Sequence, residues 1–523
     1  MLQTIRNHGF LSTVLAIAAA FYIIFPLQLQ SMEAYSYAAG IEKYYNLSST
    51  FALAQGQHLP DFGRYHLNHP LGHVLAGLAF DALKIPAHHW MRFTNIISAL
   101  AAALFLYLFS LRLRLSKNVS TLACALFLAT HAALLAVFSG EWHMPSLALS
   151  LAGAWQILLY WQENKTRNLN IAALLLCIAV CYHTAALSFS VCLSVALILT
   201  RWKNLRKILT AGAVAGAIII IVYFVLPFFI LRFESFSDFW RTFFIYKYLT
   251  HVRYGAFDWF LVAIQTLFHS FFFIPATLPV MNWFAIPFFI AMIAACWRFF
   301  RSHADLPVKL FFIFMLVGWP AALAIVGTRA NGLNGLIFML PLICVIVAQA
   351  LHDLHRRAIL IGFTLPVILV TWNFYHLILP NHLHNRDDIF LFKPPRQIPA
   401  TTPVAFIAGE LVLTIGEIWH AGSELDFRNQ AVFYPCCGED SYLFRLRRWL
   451  RANPGAVIVS DAAPELIERF LQGEGLQYVR WLDRQVNWPA SLIPATLYFK
   501  RDPDYQYHKR LIIWLPPEKV PLR

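Results

Sequence analysis

Long apolar runs recur through this 523-residue chain and constrain its fold more than any motif. Leu11–Pro26, Ile96–Leu111, Ile208–Leu231 and Ile359–Leu377 each run for about 16 to 24 residues with almost no charge. A hydrocarbon core roughly 30 Å thick needs about 20 apolar helical residues, so such runs read as membrane spans. Composition agrees: 13% of the residues are charged, against about 25% in soluble domains. Mean hydropathy is +0.58, and a soluble fold is excluded.

The formal charge of +14 invites a nucleic-acid reading, which the distribution of the charge rejects. Basic residues sit in short clusters between apolar runs: Arg112/Arg114/Lys117, Arg201/Lys203/Arg206/Lys207 and Arg356/Arg357. That is the pattern of cytoplasmic loops under the positive-inside rule, not of a continuous basic footprint. Cys124, Cys177, Cys181, Cys192, Cys296 and Cys344 lie within apolar runs, where a thiol acts as a small hydrophobe. Cys436 and Cys437 are adjacent and offer no ordinary structural disulfide.

Arg6 places the N-terminus in the cytoplasm, and the first apolar run reads as a retained signal anchor over about residues 10–29. Met32–Tyr45 reads as an amphipathic helix along the interface. Pro70–Pro86 is apolar but short, with His73, Asp81 and Lys84 in it. If it crossed, the Arg112 cluster would fall outside, so a non-crossing or re-entrant segment is expected. The other spans read about 93–111, 119–138, 144–161, 170–182, 185–200, 208–231, 279–298, 308–327, 333–351 and 358–379. With the first, that makes roughly eleven crossings.

An aromatic-rich outer loop falls within 232–278. Beyond residue 380 the composition becomes that of a soluble domain. Strands are expected at Ala456–Asp461 and Gln477–Leu482, with a helix at Pro464–Gly473 bounded by proline and glycine. The expected architecture is an all-α polytopic transmembrane bundle over 1–380, with a small C-terminal α/β domain over 381–523 on the outer side.

Ionisable residues at the outer ends of spans are costly unless they are used. Glu33 ends the first span, where an interfacial carboxylate at a helix start is the plain alternative. His66, His69 and His73 would share one helical face, but Pro70 breaks that geometry and no metal site is expected. Glu141 and His143 occupy a tight turn before Pro145, and His183 stands at a third outer junction. Arg329, Arg253 and Lys247 lie on further outer loops, where headgroup contact is the alternative. Carboxylates can act as general base on a hydroxyl, and arginines can neutralise a phosphate leaving group. Together they suit sugar transfer from a polyprenyl phosphate.

The order of span, acidic residue, amphipathic helix and His69-Pro70-Leu71-Gly72 resembles the GT-C superfamily of membrane glycosyltransferases. Protein O-mannosyltransferases and lipid A aminoarabinose transferases are among its members. The resemblance implies that Glu33, where the family has Asp, is the catalytic base. Leu71 replaces a second proline of the family segment. Arg329 before Phe338-Met-Leu-Pro-Leu342 is similar to a family pattern that holds the lipid-linked phosphate.

The implied activity is inverting transfer from a polyprenyl-phosphate donor to a glycan, lipid or protein acceptor at the periplasmic or lumenal face of a multi-pass membrane protein. A bacterial inner membrane is expected. Glu33, Glu141 and His69 would be catalytic, and Arg329, Arg253, His183, His143, Lys247 and His66 would bind substrate. No cofactor beyond the donor is expected, and metal dependence is left open. A flippase or transporter, or a non-catalytic assembly factor, is the alternative. The scarcity of mid-span charge and the lack of a visible repeat speak against transport.

Overall fold

The computed structural model describes residues 9–26, 70–138, 142–225, 236–237, 256–302, 305–321, 337–354, 362–383, 402–407, 430–433, 439–460, 464–487, 491 and 508–520. Three helices among them are long and apolar enough to cross a membrane: Ala87–Arg112, Trp202–Val225 and Pro279–Arg301. A bent pair, Lys117–Ala129 with His131–Phe138, adds a fourth if it counts as one span. Large apolar side chains are exposed on these helices, including Val214, Ile290 and Trp297. Such a surface suits lipid, and the chain is an integral membrane protein.

In chain order the described helices are α1 (Gly9–Ile24), α2 (Pro70–Leu83), α3 (Ala87–Arg112), α4 (Lys117–Ala129), α5 (His131–Phe138), α6 (His143–Glu163), α7 (Thr166–Tyr182) and α8 (Ala186–Thr200). Then come α9 (Leu205–Ile220), α10 (Ala256–Phe271), α11 (Ala285–Ser302), α12 (Leu306–Ile313), α13 (Leu340–Leu354), α14 (Thr364–Asn373) and α15 (Leu379–Leu383). π-Helical turns extend α9 at Ile221–Val225, α12 at Phe314–Gly318 and α14 at Phe374–Ile378. Such turns loosen the regular ladder within a span. The six cysteines read as small hydrophobes are free, and all but the half-buried Cys296 are fully buried.

Local chemistry explains several boundaries. Ser116 caps α4 by accepting from the Val119 amide at 3.3 Å. Asn164 closes α6 at φ 54°, the left-handed conformation that ends many helices. A Cβ on Gly153 would meet the Leu176 side chain at 2.8 Å, so this glycine lets α6 and α7 pack closely. The segment 119–138, expected as one span, is instead bent by 60° between α4 and α5. The cause is Thr130, extended at ψ 148°. Its hydroxyl donates to the Phe127 carbonyl at 2.7 Å and accepts from the Ala133 amide at 3.3 Å, capping α5.

A bend inside the bundle leaves carbonyls without their helical donors, and side chains from remote spans supply replacements. Tyr22 of α1 donates to the Leu128 carbonyl at 2.9 Å. The Asn373 amide, fully buried, donates to Ala129 O at 3.0 Å and Phe271 O at 3.1 Å. Its Oδ1 accepts from the Phe273 amide at 2.9 Å. Trp372 adds a bond to Phe273 O at 2.7 Å. One asparagine therefore ties the α4/α5 bend to the end of α10.

The two ends of the bundle differ in chemistry. At one end Arg112 of α3 meets Gln162 of α6 at 3.5 Å, and Arg201 donates to the Trp161 carbonyl. Asn204 bonds Asn164 at 3.0 Å, and Arg298 pairs with Asp353 of α13 at 3.5 Å. The opposite end carries histidines and aromatics, among them His73, Trp142, His143, Tyr182, His183 and Phe338. Helix α2 keeps to this end: Ala76 packs with Ala87 and Met91 in the first turns of α3, and with Trp142.

A five-stranded sheet follows in sequence, formed by β1 (Val404–Ile407), β2 (Gln430–Phe433), β3 (Val457–Ser460), β4 (Val479–Asn487) and β5 (His508–Leu515). The strand order is β2-β1-β3-β5-β4, with β1 parallel to β2 and β3, and β5 antiparallel to β3 and β4. Helices α16 (Glu439–Ala452) and α17 (Pro464–Gly473) cover it through Leu446, Leu450, Ile467, Phe470 and Leu471. The strand expected at 456–461 is β3, and the helix expected at Pro464–Gly473 is α17.

Replacing Asn373 with Leu keeps the volume and orphans three buried backbone groups. Each such group costs about 1–3 kcal/mol, so Asn373→Leu is expected to lower the thermal midpoint in detergent by several degrees. A midpoint equal to wild type would show that the bend does not depend on this side chain.

Candidate functional site

The histidine-rich end is built from short connections that leave little freedom to their side chains. Helix α7 ends at Tyr182, and His183 turns extended at φ −156° and ψ 125°. The His183 amide still donates to Ala179 O at 3.0 Å, and its Nδ1 accepts from the Ala185 amide at 3.0 Å. With Nδ1 accepting, the neutral ring carries its hydrogen on Nε2. Ser146, one turn into α6, donates to the same Ala179 carbonyl at 2.7 Å. Tyr223 donates to Val180 O from the π-turn after α9. The last turn of α7 is thereby held from two sides.

His143 opens α6 beside that turn. Its ring lies on the His183 ring, with centroids 3.9 Å apart and planes 34° apart. Both are largely buried, His143 at 1% exposure and His183 at 9%. Phe338, in the turn before α13, has its ring centroid 6.5 Å from that of His183. Two imidazoles in stacking contact at the end of an apolar bundle form a compact polar platform. Neutral imidazole donates and accepts, and the protonated form donates twice, so the platform can serve a hydroxyl or an anion.

Trp142 joins this platform to α2. Its Nε1–H donates to His73 Nδ1 at 2.9 Å, and neither residue is exposed at all. The indole lies against Gly72 so closely that a Cβ there would fall 2.4 Å from Trp142 Cδ2. Tyr182 packs on its other side at 6.2 Å between centroids. Gly72 is thus the glycine of the His69-Pro70-Leu71-Gly72 segment because a ring occupies the place of a side chain.

The other chain exits gather at the same end. Arg92 of α3 reaches Ile23 O near the end of α1 at 3.4 Å, and its guanidinium lies 5.8 Å from the centroid of the Phe138 ring at the end of α5. Tyr22 and Phe138 are in edge contact at 6.2 Å. Phe25 packs on Phe374 at 5.4 Å and on His382 at 6.0 Å. The segment holding Glu33 therefore leaves α1 beside the point where the segment holding Glu141 leaves α5. Among the described residues no group of three or more His, Cys, Asp or Glu is placed to hold a metal ion.

No family model matches the sequence, and no curated protein matches it. Solved structures do. ArnT from Cupriavidus metallidurans, bound to undecaprenyl phosphate, superposes with a TM-score of 0.57 over 99% of this chain and 100% of that one, at 11% identity. The same protein in its apo state gives 0.56 over the same shares. The chain shares the fold of ArnT. The archaeal oligosaccharyltransferase AglB from Archaeoglobus fulgidus reaches 0.49, covering 87% of this chain and 70% of that one at 12% identity.

Of the residues expected at the site, His143 and His183 are brought into direct contact. Glu33, Glu141, His66, His69, Lys247, Arg253 and Arg329 lie outside the described residues. Trp142, Tyr182 and Arg92 were not expected at the site, while His73 was weighed only as a metal ligand and Phe338 only as part of the segment that follows Arg329. Trp142 carried a readable signal: an indole N–H in a tight turn between two apolar helices needs a buried acceptor. His73, with no place in a metal reading, is that acceptor. The Gly72→Ala variant is expected to displace the indole, cutting any turnover on the order of tenfold and lowering the thermal midpoint; a variant that melts and turns over like wild type would refute the close approach.

Proposed function

We propose that this protein is a membrane glycosyltransferase. It moves a sugar from a polyprenyl-phosphate carrier to an acceptor on the periplasmic or lumenal side. The observation that carries the reading is the convergence of chain exits on one end of a GT-C bundle. Segments holding Glu33 and Glu141 leave α1 and α5 side by side there, and His143 stacks on His183 nearby. The opposite end carries Arg112, Arg201 and Arg298, the bias expected of a cytoplasmic face. The histidine end is then the outer one, and the membrane proposed is a bacterial inner membrane. In that arrangement the apolar helices form about eleven spans within 1–380, and residues 381–523 form a domain on the outer side.

In the proposed reaction an acceptor hydroxyl attacks the anomeric carbon as the bond from that carbon to the phosphate oxygen breaks. The bonding pair leaves with the polyprenyl phosphate, and the hydroxyl proton passes to Glu33. Glu141 or His69 assists as a neighbouring polar group. Arg329, Arg253, Lys247 and His66 hold the anionic leaving group, whose charge rises as the bond breaks. His143 and His183 line the sugar side as a stacked pair, able to donate to hydroxyls and to accept from them. The donor class comes from the fold: ArnT in one matching structure is bound to undecaprenyl phosphate. Attack from the side opposite the leaving group inverts the anomeric centre.

The decisive measurement uses protein in nanodiscs with a panel of radiolabelled polyprenyl-phosphate sugars, comparing wild type with Glu33→Gln. Wild-type turnover that falls by at least about a thousandfold in Glu33→Gln supports the enzyme and its base together, a loss of the size general-base removal produces. Turnover that survives in the variant keeps the enzyme and removes Glu33 from its role. Silence of the wild type with every donor and with added acceptor lipids or peptides would favour transport or assembly instead.

A further inference from the structure

We infer that the Trp142–His73 pair is a positioning latch that sets the second outer turn against the start of α2; the inference rests on the glycosyltransferase reading above. Three observations converge on it. The indole N–H···Nδ1 bond is 2.9 Å between two fully buried groups, on segments 69 residues apart. Gly72 admits the ring, with no room there for even a methyl group. Trp142 is also the residue between Glu141 and His143, while His73 follows His69 by four positions. One side chain therefore fixes the exits of two segments to which the proposed chemistry belongs. It does so from behind, without itself offering a group to substrate.

The physical case is one of register. An indole has two side-chain torsions, and here both are held. Gly72 and Tyr182 bracket the ring, and His73 fixes its edge. The Trp142 and His73 side chains are both fully buried, so losing the bond costs more than losing one at the surface would. His143 follows Trp142 directly, and its stacking on His183 inherits the position of the backbone between them. Small displacements matter because misplacement by about 1 Å can cost on the order of a hundredfold in rate.

Trp142→Phe keeps an aromatic ring by Gly72 while removing the donor together with part of the indole. The expected result is a kcat reduced by about tenfold or more, with the KM for the donor within about twofold of wild type. His73→Leu removes the acceptor, and the double variant Trp142→Phe/His73→Leu should lose far less than the product of the two single losses. His73→Asn, which can again accept the indole hydrogen, should recover part of the rate that His73→Leu loses. Hydrogen exchange read on peptides covering 70–77 and 142–147 should rise in Trp142→Phe, whereas peptides of α13 and the sheet should not change. Wild-type kcat in Trp142→Phe, multiplicative losses in the double variant, or unchanged exchange at both peptides would each overturn the latch. If wild type turns over no donor, the glycosyltransferase reading fails, and the exchange measurement alone still decides whether the latch exists.

Discussion

Inside hydrocarbon there is no solvent to receive a backbone polar group that a helix has released, and the architecture of this protein answers that constraint. A straight helix satisfies itself. Each departure from straightness obliges some other part of the chain to send a donor or an acceptor. At the bend between α4 and α5 those donors are the phenol of Tyr22 and the carboxamide of Asn373. At the end of α7 Tyr223 serves the Val180 carbonyl, and Ser146 adds a second donor to the Ala179 carbonyl. The polar residues buried among these spans therefore mark where the helices deviate. Those deviations shape the end of the bundle that carries the histidines.

The same reasoning separates structural from chemical polarity. Asn373, Thr130 and Ser146 use their hydrogen-bonding capacity on backbone atoms of neighbouring elements. The His143 and His183 rings meet at 3.9 Å between centroids, tilted by 34°, beside a cluster of chain exits. His183 commits one ring nitrogen to the Ala185 amide and leaves the opposite edge of the ring turned from that bond. A fold shared with ArnT across almost the whole chain at 11% identity fits this division, since the fold persists while most residues differ.

Much of this was legible in the sequence because hydrophobic length is a direct physical requirement. Runs such as 93–111 and 144–161 could be placed because a bilayer admits few other solutions, and α17 could be bounded at Pro464 and Gly473 by their backbone preferences. Thr130 was not legible as a bend. Threonine is common in straight spans, and the carbonyls its bend releases at Leu128 and Ala129 are served by donors from residues 22 and 373. His143 and His183 were visible as ionisable groups at span ends, though nothing in their spacing announced that their rings would meet. The indole of Trp142 announced the need for a buried acceptor but not which residue would supply it. Its pairing with His73 links segments whose separation in sequence no local pattern encodes.

The bend at Thr130 has a further consequence for how the chain is made. Its two carbonyl partners stand 106 and 244 residues away in sequence. During synthesis at about 5–20 residues per second, α1 is already present when α4 and α5 enter the membrane, but α14 is not. The segment from Lys117 to Phe138 must wait through the insertion of every span between it and Asn373, provisionally straight or bound to some interim partner. The segment that follows Phe138 in sequence shares that wait. Assembly of the histidine end is therefore a late event in biogenesis, completed only when the last part of the bundle has been delivered. A chain arrested before residue 373 would hold most of its spans and still lack the finished end.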